Sequence, residues 1–170
     1  MASHSRSAGP VLTVTANPTV DVCLDVDRLC TEGKNRALVH SVQAGGGGIN
    51  VARCLRRLAI PARAVYVSGG DTGRRLDRLL AEENITARRV RVAGETRKAL
   101  VVTETATGHS YHIVPPGPVL STAEVDLLRE AVLRSARECT HVVVTGSAPP
   151  GLPNRLPRTS WPAQHRWTSR

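Results

Sequence analysis

Four consecutive glycines, Gly45–Gly48, run straight into Ile49–Leu58, where Ile49, Ala52, Leu55 and Ala59 recur at helical spacing. A run with no side chains at the mouth of an amphipathic helix lets backbone or ligand approach closely. The first N–H groups of the helix then point at whatever lies there and favour an anion or a hydroxyl oxygen. A linker would not lead directly into such a helix. The spacing is neither GxGxxG nor a Walker loop, because no Lys-Ser or Lys-Thr follows. The helix carries Arg53, Arg56 and Arg57 on its other side, read as facing water, and Pro61 ends it.

Around this landmark the chain alternates. Val11–Ala16 is a β-branched run that ends in Asn17-Pro18. Val20–Leu29 alternates with Val20, Val22, Leu24 and Val26 on one side, and Arg36–Gln43 is a further strand with Leu38 and Val42 on one side. After the helix come a strand at Ala64–Val67 and a helix opened by Gly69-Gly70-Asp71, running to Glu83 with the stripe Leu76, Leu79 and Leu80. Strands follow at Val90–Val92, Ala99–Thr105 and Ser110–Val114. Pro115–Pro118 is a rigid loop. Ser121 with Glu124 is a capping box leading a helix through Arg137, and His141–Thr145 is an apolar strand that ends in Gly146-Ser147. Strands alternating with helices and ending in Gly-rich turns predict an α/β doubly wound sheet. The strand-rich parts around 20–43 and 99–114 have fewer crossover helices, and they predict a smaller sheet projecting from the main one.

The chain has 170 residues, enough for one domain with a sizeable core. No apolar stretch approaches the length of a membrane helix, and Met1–Pro10 lacks the apolar core of a secretory signal. Cys23, Cys30, Cys54 and Cys139 show no CxxC pair, so reduced thiols and a cytoplasmic location are expected. The net charge is +9, but five of those charges (Arg6, Arg155, Arg158, Arg166, Arg170) fall in the first ten and last seventeen residues. With no basic-aromatic interleaving, the pattern suits a phosphorylated small molecule better than nucleic acid. His109 and His112 have no acid or Cys partner at ligand spacing and read as structural.

Ala44–Arg53, AGGGGINVAR, resembles the first signature of the PfkB family of sugar kinases. NPTVD at Asn17–Asp21, EGKNR at Glu32–Arg36, SGGDTG at Ser68–Gly73, ETRKALVV at Glu95–Val102, PPGPVLS at Pro115–Ser121 and VTGSAPPGLP at Val144–Pro153 follow in the family's order. The resemblance implies a ribokinase-like fold whose projecting strands form a lid, and an enzyme of the phosphofructokinase branch. Such an enzyme passes the γ-phosphoryl of ATP, with Mg2+, to a phosphorylated ketohexose. Many 1-phosphofructokinases and tagatose-6-phosphate kinases, the alternatives, have Lys third in the glycine run. Gly47 stands there in this chain and resembles the minor 6-phosphofructokinases, which act on fructose 6-phosphate.

The resemblance assigns substrate-binding roles. Asp21 holds sugar hydroxyls, and Gly45, Gly46, Gly47 and Asn50 form the sugar-contacting loop and helix start. Lys34 and Arg97 are the cations for the phosphate, and Ser147 lies beside it. A homodimer through the lid strands is the partner expectation. The family's catalytic loop is GAGD, and no GAGD occurs in the sequence. The resulting expectation is a tail at 1–10, the N-terminal part of the kinase domain at 11–153, and a divergent basic tail at 154–170. On that expectation the chain binds sugar phosphate and does not turn it over, and its isolated form is marginally stable. A non-catalytic sugar-phosphate-binding remnant is the alternative from another class.

Overall fold

The computed structural model of the chain describes residues 9–153; the tail expected at 154–170 and most of that at 1–10 lie outside the described residues. Its elements are β1 (Val11–Thr15), β2 (Thr19–Val26), β3 (Leu38–Gly45), α1 (Gly47–Arg57), β4 (Ala62–Ser68), α2 (Gly70–Glu82), β5 (Ala87–Arg91), β6 (Arg97–Glu104), β7 (Ser110–Ile113), α3 (Thr122–Ala136) and β8 (His141–Val144). The predicted order of strands and helices is reproduced. The expected capping box forms, with Ser121 Oγ accepting from the Glu124 N–H and Glu124 Oε2 accepting from the Ser121 N–H at 2.8 Å.

The main sheet has the order β5-β4-β1-β8 and is parallel throughout. Its two faces carry separate cores. Leu12, Val14, Val65 and Val67 meet Leu128, Ala131 and Val132 of α3 on one side. Ala64 and Tyr66 meet Ile49 and Ala52 of α1 and Leu76 and Leu80 of α2 on the other. This alternation along β4 is the period of two that a strand covered on both faces requires. β8, expected to be a buried apolar strand, is instead a half-exposed edge, with Val144 40% exposed.

The second sheet, β3-β2-β6-β7, is mixed and forms the projecting lid. Only Ala16–Pro18 separate β1 from β2, so the chain leaves one sheet and enters the other within a turn. Val20 and Ala44, at the base of the lid, are fully buried with Ile49 and Leu76. Farther out the same face carries Val39, Tyr111 and Ile113, all exposed.

The expected pairing of Leu38 with Val42 is overturned. A bulge between Cys23 and Leu24 inserts one residue into β3, so Val39 joins Val42 on the apolar face and Leu38, opposite Asp25, lies 77% exposed. Ala59 likewise leaves the predicted stripe of α1, because the helix ends at Arg57 and Ala59 adopts φ 55°.

The glycine run serves the protein's own packing first. A Cβ on Gly46, where φ is 118°, would stand 2.6 Å from Thr15 Cγ2, and one on Gly47 would stand 2.7 Å from the Gly146 nitrogen. A Cβ on Gly48 would stand 2.5 Å from both Thr15 Oγ1 and the Val14 carbonyl oxygen. Replacing Gly48 by Ala must therefore push α1 off β1. The expected cost is about 1–3 kcal/mol, read as a lower urea midpoint at unchanged slope; an unshifted midpoint would refute the close contact.

Candidate functional site

In an open parallel sheet, ligands bind outside the carboxyl ends of the strands. Here those ends are Thr15–Asn17 after β1 and Thr145–Ser147 after β8, with Gly46–Gly48 between them. The polar face of the lid leans over the same place. Strand registers put Thr19 and Asp21 of β2, Arg97 and Ala99 of β6 and His112 of β7 on one face.

Arg97 is the centre of the cluster. Its Nη2 donates to the Asn17 carbonyl oxygen at 3.0 Å and to Ser147 Oγ at 3.1 Å, and Nη1 donates to the Pro115 carbonyl oxygen at 3.1 Å. Asn17 Nδ2 also donates to Ser147 Oγ at 3.2 Å. Three segments far apart in sequence thus meet on one guanidinium. Its acceptors are all neutral, so the positive charge is held in place and not cancelled. Burial works against that charge and Asp21 supports it. A cleft of about 490 Å³ opens beside the cluster, lined by Asn17, Arg97, Pro115–Gly117 and Ser147–Leu152.

Asp21 lies half-buried on β2. Burial raises its carboxyl pKa above the usual value, opposed by the Thr19 hydroxyl and by the charges of Arg97, Arg53 and His112. Gly45 is glycine because a Cβ there would fall inside the Asp21 carboxylate. Sequence spacing marks His112 as merely structural, but it shares the sheet face of Asp21 and acts on its carboxyl electrostatically.

Asn50 sits in the first turn of α1, where its N–H donates to the Gly46 carbonyl. Its side-chain oxygen is held by Arg53 Nη1 at 2.6 Å. Arg53, expected to face water, has a side chain only 13% exposed. It forks onto Glu83, with Nε–Oε2 at 2.5 Å and Nη2–Oε1 at 2.8 Å, and donates to the Ala44 carbonyl at 2.6 Å. Helical spacing correctly puts it off the core stripe, but nothing local announces a partner thirty residues later. Sequence reasoning also misses Asn17 and Thr19 as site residues. The Asn-Pro turn and the NPTVD motif that contains both are the signals that could have drawn attention to them.

The structure therefore brings Asp21, Gly45, Gly46, Gly47, Arg97 and Ser147 together and ties Asn50 to them through Arg53. Lys34 is the exception, lying exposed in the connection from β2 to β3, outside the bonds and close packing that join the others. The mouth of α2 is already filled. Glu95 accepts from the N–H groups of Asp71 at 3.2 Å and Thr72 at 2.7 Å, and hydrogen bonds from the Thr72 hydroxyl and N–H hold its carboxyl below the usual range.

Comparison with known proteins gives the family and the fold. A family model described as pfkB family carbohydrate kinase matches residues 14–159. The ATP-dependent 6-phosphofructokinase isozyme 2 of Mycobacterium tuberculosis is 35% identical over 142 residues, covering 84% of this chain and 42% of that protein. Escherichia coli phosphofructokinase-2 in complex with fructose-6-phosphate superposes with a TM-score of 0.81 at 36% identity, over 85% of this chain and 48% of that one. A tetrameric inhibited form of the same enzyme superposes with a TM-score of 0.80 at 36% identity, over 85% and 47%. The chain thus spans a little under half the length of the curated relatives it matches.

Arg97→Met removes the one donor group that joins the Asn17 turn, the proline loop and the β8 end. Hydrogen bonds from a charged donor contribute about 1.5–3 kcal/mol each, so faster amide exchange at residues 114–118 and 146–148 is expected. Unchanged exchange in both segments would show that the Arg97 bonds do not hold them.

Proposed function

The chain belongs to the pfkB family of carbohydrate kinases, and on that premise we propose that residues 11–153 are the N-terminal part of the family domain and bind the phosphorylated sugar. The proposed substrate is a ketohexose phosphate of the fructose 6-phosphate type. The observation that carries this reading is a guanidinium, Arg97, held by neutral acceptors beside Ser147 and within electrostatic reach of the Asp21 carboxylate on the same face of the second sheet.

A phosphate needs donors and a hydroxyl needs an acceptor. Arg97 supplies the positive charge and one free Nη1 hydrogen, and a forked bond to phosphate would replace its present bonds to Ser147 and Pro115. Lys34 adds a second cation from the exposed β2–β3 connection. Asp21 accepts from sugar hydroxyls, while Gly46, Gly47 and Asn50 border the sugar from the α1 side. A side chain at Gly47 would meet the Thr145–Gly146 backbone, so the all-glycine run on which the 6-phosphate reading rests is also what the packing requires.

The proposed phosphoryl donor is ATP with Mg2+. The described residues do not fit that group. Among them no cluster of three His, Cys, Asp or Glu could hold a metal ion, and the N-terminus of α2 is filled by Glu95. The part these residues play is to bind and orient the accepting sugar.

A reducing, cytoplasmic setting suits the four free thiols, and among the described residues no helix is long and apolar enough to cross a membrane. Self-association through the lid is the partner reading. Val39, Tyr111 and Ile113 expose 65%, 41% and 56% of their surface on one face of that sheet, and an apolar face bounded by open strand edges favours pairing.

Calorimetric titration of the 170-residue chain checks the substrate. Fructose 6-phosphate is expected to bind at least tenfold more tightly than fructose, and Arg97→Met to erase that difference. Equal affinity for the two sugars would reject the phosphate site. Sedimentation over a range of concentrations checks the lid, with Val39→Lys expected to shift the chain toward monomer and no shift counting against lid pairing.

A further inference from the structure

Arg53 lies outside the ring of groups proposed to touch substrate, yet it bonds to two of the parts that build the site and to the end of a neighbouring helix. It holds the side chain of Asn50, the carbonyl of Ala44 just before the glycine run, and Glu83 at the end of α2. We infer that Arg53 is a positioning residue that sets the donor and acceptor polarity of the sugar pocket, so that a sugar hydroxyl is bound with Asn50 donating to its oxygen and Asp21 accepting its proton. This inference rests on the sugar-phosphate reading above and names what one part of that site recognises.

The chemistry leaves one orientation for the Asn50 amide. A guanidinium has five N–H donors and no acceptor, so the Asn50 atom 2.6 Å from Nη1 must be oxygen. The amide nitrogen then points away from Arg53, on a side chain that is exposed. Without Arg53 the amide could turn over, and its place in the pocket would offer an acceptor as readily as a donor. The Ala44 carbonyl is held in the same way. It accepts from Nη2, which fixes the strand end from which Gly45 gives room to the Asp21 carboxylate.

Glu83 keeps the fork rigid. Two bonds from one guanidinium to one carboxylate fix its plane, leaving Nη1 and the remaining Nη2 hydrogen aimed at Asn50 and Ala44. Glu83 also cancels much of the Arg53 charge. Arg53 therefore orients the sugar end of the site without competing with Arg97 for the phosphate. The part of its charge that does reach Asp21 favours the ionised carboxylate, against burial, which disfavours it. The other groups facing Asp21 are Arg97 from β6, His112 from β7 and the Thr19 hydroxyl on its own strand. Gln43, opposite Asp21 on β3, is uncharged.

Sign and size follow from this placement. The ionised Asp21 carboxylate accepts from a hydroxyl more strongly than the protonated acid does, so sugar binding weakens as pH falls through its folded-state pKa. Removing the Arg53 charge raises that pKa further, and the fade begins at a higher pH. The titration of the ligand's own phosphate is common to every variant and drops out of the comparison.

The test uses the full chain with Arg53→Met, Arg53→Lys and Asn50→Asp, titrated with fructose 6-phosphate and with inorganic phosphate between pH 5.5 and 8. Arg53→Met is expected to weaken fructose 6-phosphate at least tenfold, to leave inorganic phosphate within twofold, and to move the acid limb of sugar binding upward. Arg53→Lys keeps the charge but not the fork, so it should weaken the sugar about as much with the acid limb in place. Asn50→Asp, which cannot donate, should match Arg53→Met in sugar affinity. If Arg53→Met fails to fold, Arg53→Lys and Asn50→Asp carry the test alone. Equal weakening of both ligands, or an unmoved acid limb in Arg53→Met, would reduce Arg53 to a structural residue and overturn the inference. An unaltered chain that binds neither ligand would overturn the sugar-phosphate reading itself, an outcome distinct from binding that ignores Arg53.

Discussion

The start of α1 lies so close to the ends of β1 and β8 that only backbone fits between them. A Cβ at any of the four glycines meets a different obstacle: the Asp21 carboxylate, Thr15 with Pro18, the Thr145–Gly146 peptide, or Val14 with Thr15. Glycine within ordered structure costs about 0.5–1 kcal/mol relative to alanine, and four in a row make a poor helix entrance by propensity alone. The close approach offsets that cost. It seats Ile49 and Ala52 in the core against Ala64 and Tyr66, and it brings the β3 end, the β1 end and the β8 end to one point. Apart from Lys34, the proposed contacts to substrate are built around that point.

Charge then gives the point a direction. Arg97 is surrounded by neutral acceptors and keeps its field, whereas Arg53 shares its own with Glu83. Asp21 stands between them, partly out of water, where each interaction is stronger than at the surface. A ligand with an anion at one end and hydroxyls at the other is aligned by this arrangement. On the proposed reading its anion is repelled from Asp21 and drawn to Arg97, and its hydroxyls find their charged acceptor at Asp21. A free phosphate satisfies one end alone, and an uncharged sugar satisfies the other.

The sequence reveals what local physics dictates. β-branched runs became strands, the stripe of Leu76, Leu79 and Leu80 became the inner face of α2, and Ser121 with Glu124 became a capping box. The ordered motifs led to Asp21, Arg97 and Ser147, which the structure places together. Hidden features depend on pairing across the chain. The bulge that exchanges Leu38 for Val39 exists only because β2 and β3 meet in a particular register. Arg53 looks solvated on a helical wheel because Glu83 comes from the far end of another helix. Glu124 caps α3 as expected and also accepts from the Ala93 N–H at 2.6 Å, a bond to a loop that no capping rule contains. The half-exposure of β8 is set by which strand lies beside it, a property of the sheet and not of the residues His141–Val144.

The same long-range pairing makes the site a reporter of folding. Asn17 and Ser147 are 130 residues apart and share a hydrogen bond, and Arg97 joins both from the middle of the chain. None of the three can reach the others until β8 has aligned with β1 and β6 with β2. Contacts of such separation form late, because loop closure must be completed before they return any stabilisation. A ligand that bridges Arg97 and Asp21 binds only the state in which both sheets are complete. It therefore stabilises that state by mass action, and it couples the lid to the main sheet through the few residues, Ala16–Pro18, that connect them.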